Sequence, residues 1–126
     1  MEGTSLKRLL LVPLVALALV PIATAAPARV AASVITLTAS KTGLKFDKKV
    51  LYAKAGKITL VFKNPSMLPH NVTIEAAQGE KRYGATKTVT HANTTLVLTL
   101  AKGKYHFYCS VPGHEDAGMS GFLIVS

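Results

Sequence analysis

Apolar and polar residues alternate along most of the chain after residue 33, and this period predicts β-strands that bury one face. Ile58, Leu60 and Phe62 fall on one face of such a segment, and Tyr105 and Phe107 share a face with the only cysteine further along. No stretch shows a helical period of useful length, and turn-forming residues separate the segments. The predicted strands are 34–38, 44–52 (broken at 47–49), 58–63, 70–75, 94–100, 105–109 and 118–125.

The connections between these strands carry further expectations. The segment 76–86 is polar and basic and contains two glycines, so it predicts a loop. Residues 101–103 predict the turn of a hairpin between the strands on either side. His70, Val72 and Ile74 are expected to share one face of their strand. Seven or eight short strands in about 100 residues predict an all-β domain, either a sandwich or a small barrel.

The N-terminal residues follow a different pattern. Lys7 and Arg8 precede an uncharged, largely apolar stretch from Leu9 to Val20, and small residues follow. This order of a basic start, an apolar run and small residues is typical of a secretory signal peptide. Cleavage after Ala25 fits this pattern best. Later cleavage sites would be Ala28 and Ala32.

An uncleaved anchor is the alternative, because the run from residue 9 to residue 28 is about long enough to span a bilayer. Pro13 and Pro21 interrupt that run, so cleavage is favoured. These features divide the chain into a signal peptide (1–25), a flexible lead (26–33) and one domain (34–126). The protein is therefore expected in the periplasm or outside the cell, or at the membrane if the N-terminus is retained.

Composition narrows the class of protein. The 126 residues suffice for one domain, and a single cysteine allows no intramolecular disulfide. Lys and Arg number 15 against 6 Asp and Glu, a net charge of +9, and removing Lys7, Arg8 and Glu2 with the signal peptide leaves +8. This charge favours acidic protein partners or anionic membrane surfaces. The lysines are dispersed and the protein is exported, so nucleic-acid binding is not expected.

Residues with metal-binding side chains concentrate between positions 108 and 119. Cys109, His114 and Met119 occur there with four residues between successive members, and two glycines and a proline allow a tight loop. His70 begins another predicted strand, far away in sequence. Two imidazoles and a thiolate with a weak thioether are the donors of a blue-copper electron-transfer site.

Each of the four residues has a commoner structural role when it is taken alone. A buried cysteine is usually an inert core thiol, a methionine usually fills the core, and a histidine usually lies at the surface. The joint pattern of all four favours one bound copper ion. His91 is expected in a solvated turn, and His106 alternates away from Cys109, so neither is expected to reach the metal.

At these residues the chain resembles the cupredoxins, and within them the plastocyanin-like group of type 1 copper proteins. Pro69–Val72 is similar to the family's first-histidine segment, and Tyr105–Ser110 with Gly118–Met119 is similar to its C-terminal ligand segment. The resemblance covers residues 34–126. The spacing from Cys109 to the second histidine is longer than is usual in plastocyanins and is similar to that of azurin, rusticyanin and auracyanin.

The resemblance implies an eight-stranded Greek-key sandwich with the copper site at one end. It implies that His70, Cys109 and His114 are equatorial ligands and that Met119 is the axial ligand. It also implies that Asn71 braces the site by hydrogen bonding toward the residue that follows the cysteine.

These features predict a small monomeric electron carrier that exchanges one electron with redox protein partners bearing acidic docking surfaces. His114 is expected to be the exposed ligand within an apolar surface suited to brief docking, and Tyr108 is a second exit route. A copper carrier or storage protein is the alternative. An enzyme is not expected, because four protein ligands leave no coordination position for a substrate. The apolar surface comprises Met67, Leu68, Pro69, Pro112, Gly113 and Ala117.

Overall fold

Strands account for all the regular elements of the part of the chain that the structure describes. The structure is a computed structural model, and it describes residues 1, 3, 20–27 and 32–126. The expected all-β class is confirmed, with eight strands. They are β1 (Ser33–Thr38), β2 (Val50–Ala53), β3 (Gly56–Asn64), β4 (Thr73–Ala76), β5 (Arg82–Ala85), β6 (Ala92–Leu100), β7 (Gly103–Tyr108) and β8 (Ser120–Val125).

The strands form two sheets, and the architecture is the expected sandwich. One sheet has the order β1-β3-β6 and the other has the order β2-β8-β7-β4-β5. β1 runs parallel to β3 and β2 runs parallel to β8, while the remaining pairs are antiparallel. β6 and β7 follow one another in the chain but belong to different sheets. The hairpin predicted at residues 101–103 is therefore wrong. The turn residues connect β6 to β7, but β7 pairs with β4 and β8 and not with β6.

The core fills the space between the two inner faces. Ile58, Leu60 and Phe62 on β3 are buried as the alternation predicts. The ring of Phe46 makes edge contacts with Phe62 at 6.0 Å and with Phe107 at 5.6 Å between centroids, so one side chain joins the two sheets. Aromatic pairs in this geometry stabilise a core beyond the area that they bury.

Two further local predictions need correction. The segment 76–86, predicted as a loop, contains the strand β5, whose exposed Arg82 and Tyr83 and whose glycine hid the apolar pattern. Residues 70–74 are all buried rather than buried on one face. Thr73 is paired in the sheet with Ala85 and with Tyr108, and its side chain is fully buried on the face that was expected to be exposed.

Strand order brings the predicted metal-binding residues to one end of the sandwich. β4 and β8 both pair with β7 in antiparallel register, with Thr73 and Ser120 each opposite Tyr108. The starts of β4 and β8 therefore lie beside the end of β7, at one end of the sheet. Three neighbouring strands of the five-stranded sheet thus place His70, Cys109 and Met119 there.

The N-terminal expectations are largely outside the described part of the chain. Residues 2 and 4–19 of the predicted signal peptide and residues 28–31 of the predicted lead are not described, so both segments stay predictions. Among the residues that are described, no helix has the length and apolar character needed to cross a membrane.

Candidate metal centre

His70 is held by a pair of backbone hydrogen bonds to a single residue. Its N–H donates to the carbonyl of Val89 at 3.0 Å, and its carbonyl accepts from the N–H of Val89 at 2.9 Å. Its side chain is fully buried. The proline at 69 and this isolated bridge fix the backbone before β4 begins, so the imidazole enters the site from a rigid segment.

Cys109 and Met119 lie next to one another where β7 ends and β8 begins. The N–H of Cys109 donates to the carbonyl of Met119 at 3.0 Å, which continues the ladder between the two strands. Both side chains are fully buried. The sulfur donors thus occupy the inner face of the sheet, as the alternation from Tyr105 onward predicts.

His114 lies in the loop between these two strands. Its carbonyl accepts from the N–H of Met119 at 3.0 Å, and its N–H donates to the carbonyl of Val111 at 3.1 Å. Gly113 and Gly118 have φ values of 81° and 98°, which favour glycine because it lacks a Cβ. The loop therefore folds back tightly and returns the half-buried imidazole toward Cys109.

Three donor atoms form a small triangle at this end of the sandwich. The Nδ1 atoms of His70 and His114 are 3.1 Å apart, and the Sγ of Cys109 lies 3.8 Å and 3.5 Å from them respectively. A point in the plane of the triangle lies about 2.0 Å from all three atoms, close to the bond lengths of roughly 2.0–2.3 Å that imidazole and thiolate make to first-row metals. The residues therefore fit a trigonally bound metal ion.

Met119 is placed beside this triangle through its backbone. Its N–H bonds to the residue 114 carbonyl and its own carbonyl bonds to the residue 109 N–H, so it is tied to two of the three cluster members. Its thioether is buried and belongs to the same core cluster as Cys109. This placement agrees with the fourth, weaker donor position expected from the sequence.

The chemistry of the donors selects copper over hard cations. Thiolate and thioether sulfur favour soft metals, and imidazole serves both oxidation states of copper. Burial, and secondarily the neighbouring His114, lower the pKa of His70 below its ordinary value of 6.5. At neutral pH His70 is therefore uncharged and has a lone pair available for a metal.

Asn71 ties the segment after His70 to the residue after Cys109. Its Nδ2 donates to the Oγ of Ser110 at 2.8 Å, and its Oδ1 accepts from the N–H of Ser110 at 2.8 Å. Nδ2 also donates to the Oγ1 of Thr88 at 3.0 Å. The brace implied by the sequence resemblance is therefore present.

One buried polar residue near the site was missed by the sequence analysis. Asn64 is almost fully buried, and its Nδ2 donates to the carbonyls of Leu68 and Val89 at 2.8 and 2.7 Å. It thus supports both segments that hold His70. The Asn-Pro-Ser sequence was interpreted only as the end of a strand, although an asparagine at the end of an apolar run commonly bonds to local backbone.

The other two histidines lie outside the cluster, as expected. His91 is exposed, and its Nδ1 lies 3.1 Å from the carbonyl oxygen of Pro65. His106 lies on the outer side of β7, where its Nδ1 is 3.4 Å from the Oε1 of Glu75.

In the part of the chain that the structure describes, two histidines and one cysteine form a cluster that could hold a metal ion at the end of the β-sandwich, and this arrangement defines a metal-binding sandwich protein. The family model for copper binding proteins of the plastocyanin/azurin family matches residues 33–126. The chain belongs to this family. The cupredoxin resemblance and the expectation of one copper ion as cofactor are thereby confirmed.

Individual relatives agree with this assignment. Chloroplastic plastocyanin of Pisum sativum is 36% identical over 117 residues, covering 83% of this chain and 68% of the relative. Plastocyanin of Vicia faba is 35% identical over 100 residues, covering 73% and 98%. The solved structure of dithionite-reduced auracyanin from Roseiflexus castenholzii superposes with a TM-score of 0.69 at 26% identity, covering 75% of this chain and 97% of that one. Family and donor set support the predicted one-electron transfer through a mononuclear copper site.

Proposed function

We propose that this protein is a small exported electron carrier in which His70, Cys109 and His114 would hold one copper ion, with Met119 as the weaker fourth donor. The triangle of two Nδ1 atoms and one Sγ atom is the observation that carries this proposal. When bound, copper supplies a one-electron couple between Cu(II) and Cu(I), so the protein accepts one electron from a reduced partner and gives it to an oxidised one.

The protein's own contribution is to hold the donors still. Cys109 and Met119 are joined by the strand ladder, and His70 is held by its bridge to Val89. Because these segments are fixed by backbone hydrogen bonds, the donor positions need not change when the charge on the metal changes. Burial of Cys109 and Met119 also keeps water from the sulfur side.

An apolar surface next to His114 is proposed as the place where partners dock. Met67 and Leu68 are exposed to 75% and 47%, although both are large apolar residues. The remaining members of the predicted surface are also exposed. Redox encounters are typically small and brief, which suits such a patch, and the net charge of +8 after removal of the signal peptide favours acidic partners.

Tyr108 offers a second exit route, because it is bonded directly to Cys109 and its half-buried side chain points to the opposite face of β7. Its ring stacks on His106 at 5.3 Å between centroids. An electron leaving by this route would reach the outer face of the five-stranded sheet rather than the patch near His114.

Export to the periplasm or beyond the cell is proposed from the signal-peptide pattern of residues 1–25. A retained N-terminus would hold the same domain at a membrane.

We expect the domain to be monomeric and not to act as an enzyme, since four protein donors leave no position for a substrate. A copper-storage role is disfavoured by the full burial of three of the four donors, which slows release of the ion.

Addition of Cu(II) to the purified protein tests the proposal. The expected result is an intense blue thiolate-to-copper charge-transfer band with one equivalent bound. Cys109→Ser should abolish the band, whereas Met119→Gln should keep it and lower the reduction potential. His106→Ala is the matched control and should leave the band intact. A wild-type protein that stays colourless with copper yet binds zinc tightly would refute the proposal.

A further inference from the structure

Lys49 approaches the segment that carries the proposed axial ligand. Its carbonyl accepts from the N–H of Phe122 at 2.9 Å, immediately before β2 begins. A Cβ added at Gly121 would overlap both this carbonyl and the ring of Phe107. The backbone of Lys49 therefore lies directly against β8, at a distance that only glycine permits.

The ammonium group of Lys49 bridges the two carbonyls on either side of Met119. Its Nζ donates to the carbonyl of Gly118 and, at 3.2 Å, to the carbonyl of Ser120. The backbone N–H and carbonyl of Met119 already form hydrogen bonds with His114 and Cys109. One side chain thus holds the chain immediately before and immediately after the thioether.

We propose that Lys49 is a positioning residue that fixes Met119 at the copper site and raises the reduction potential of the site. The inference rests on the proposed function. Two physical effects act in the same direction. The charge-assisted hydrogen bonds restrain residues 118–120 and so keep the thioether, a soft donor that favours Cu(I), at the site. The positive charge of Lys49 also favours the reduced ion, because that ion carries one positive charge less.

Lys48 provides a matched control, because it is the adjacent residue and carries the same charge. Its Nζ bonds to the Oδ2 of Asp47 at 2.7 Å and to the carbonyl of Thr36 at 3.2 Å, away from residues 118–120. Lys48→Met and Lys49→Met therefore remove the same charge from neighbouring positions, but only Lys49→Met removes the contacts with the loop.

The experiment measures two quantities in full-length wild type, Lys49→Met, Lys49→Arg and Lys48→Met. The first is amide hydrogen exchange at Met119 in the metal-free protein. The second is the Cu(II)/Cu(I) equilibrium of the copper-loaded protein. Lys49→Met should speed exchange at Met119 about tenfold and shift the equilibrium toward Cu(II) by about two- to tenfold. Lys49→Arg should restore both quantities, and Lys48→Met should leave both near the wild-type values.

Equal shifts in Lys48→Met and Lys49→Met would overturn the proposal, because a general surface-charge effect would then suffice. Unchanged exchange and unchanged equilibrium in Lys49→Met would also overturn it. If the wild-type protein binds no copper, the proposed function fails while the exchange measurement still decides whether Lys49 restrains the loop.

Discussion

Replacing Asn71 with alanine tests how firmly the end of β7 is tied to the segment after His70. The side chain is only 6% exposed and makes three hydrogen bonds, two to Ser110 and one to Thr88. Alanine removes all three without adding bulk. The loop between β7 and β8 then keeps its backbone hydrogen bonds but loses its side-chain link to the segment that follows His70.

The magnitude follows from what each partner does after the change. Each hydrogen bond contributes about 0.5–1.5 kcal/mol net, so three contribute roughly 1.5–4.5 kcal/mol. Ser110 and Thr88 are exposed, so their freed groups can bond to water, and the cost falls in the lower half of that range. We expect Asn71→Ala to lower the free energy of unfolding by about 2 kcal/mol. Ser110→Ala, which loses one of the three bonds, should cost about 0.5–1 kcal/mol.

Urea unfolding of the metal-free protein, followed by circular dichroism, measures both values. At a slope of roughly 1–1.5 kcal/mol per molar, the Asn71→Ala midpoint should fall by about 1.3–2 M. The double variant should be less destabilised than the sum of the two single variants, because one bond is counted in both. A loss below about 0.5 kcal/mol in Asn71→Ala, or one no larger than in Ser110→Ala, would refute the reasoning.

Gly121→Ala should cost at least about 3 kcal/mol or prevent folding, because the added methyl overlaps the carbonyl of Lys49 and the ring of Phe107. Urea unfolding checks this, and Gly43→Ala, which meets nothing closer than 3.7 Å, is the control. Tyr105→Phe removes a hydroxyl that donates to a backbone carbonyl at 2.7 Å and should cost about 1 kcal/mol at pH 7. Burial raises the pKa of Tyr105 above its ordinary 10.0, so the folded protein holds this proton more tightly than the unfolded chain does. Wild-type stability should therefore fall as the pH rises above about 10, and the phenylalanine variant should fall less steeply; equal slopes would contradict this.

The strands that face the core were predictable from the sequence. Ile58, Leu60 and Phe62, and later Tyr105 and Phe107, must enter one apolar layer, so burial imposes a period of two that the sequence displays. The same period correctly separated Cys109 from His106 and Tyr108. Local patterns suffice here because each strand has one buried and one open face.

Pairing between distant strands was not predictable in the same way. A turn at residues 101–103 is visible in the sequence, but β6 pairs with β3 while β7 pairs with β4 and β8. β5 is short and its first two residues are exposed, so its backbone pairing with β4 defines it rather than any apolar pattern.

The residues of the candidate site likewise differ in how far they could be predicted from local sequence. Cys109, His114 and Met119 were recognisable together because one short loop connects them. His70 was recognisable as a possible fourth donor, but its place beside Cys109 needed the resemblance or the fold, since the two residues are 39 positions apart. The contact of Lys49 with the loop spans 69 positions. A basic chain with many lysines contains no signal that singles out this one.

β7 is the middle strand of its sheet, with β2 and β5 at the two margins. Local opening begins at margins, where each strand has a single neighbour to lose. Cys109 follows the middle strand, and His70 and Met119 precede its two immediate neighbours. A protease is therefore expected to cleave first in the segment 77–81, beside the edge strand β5, while the three buried donors remain in place around the metal site.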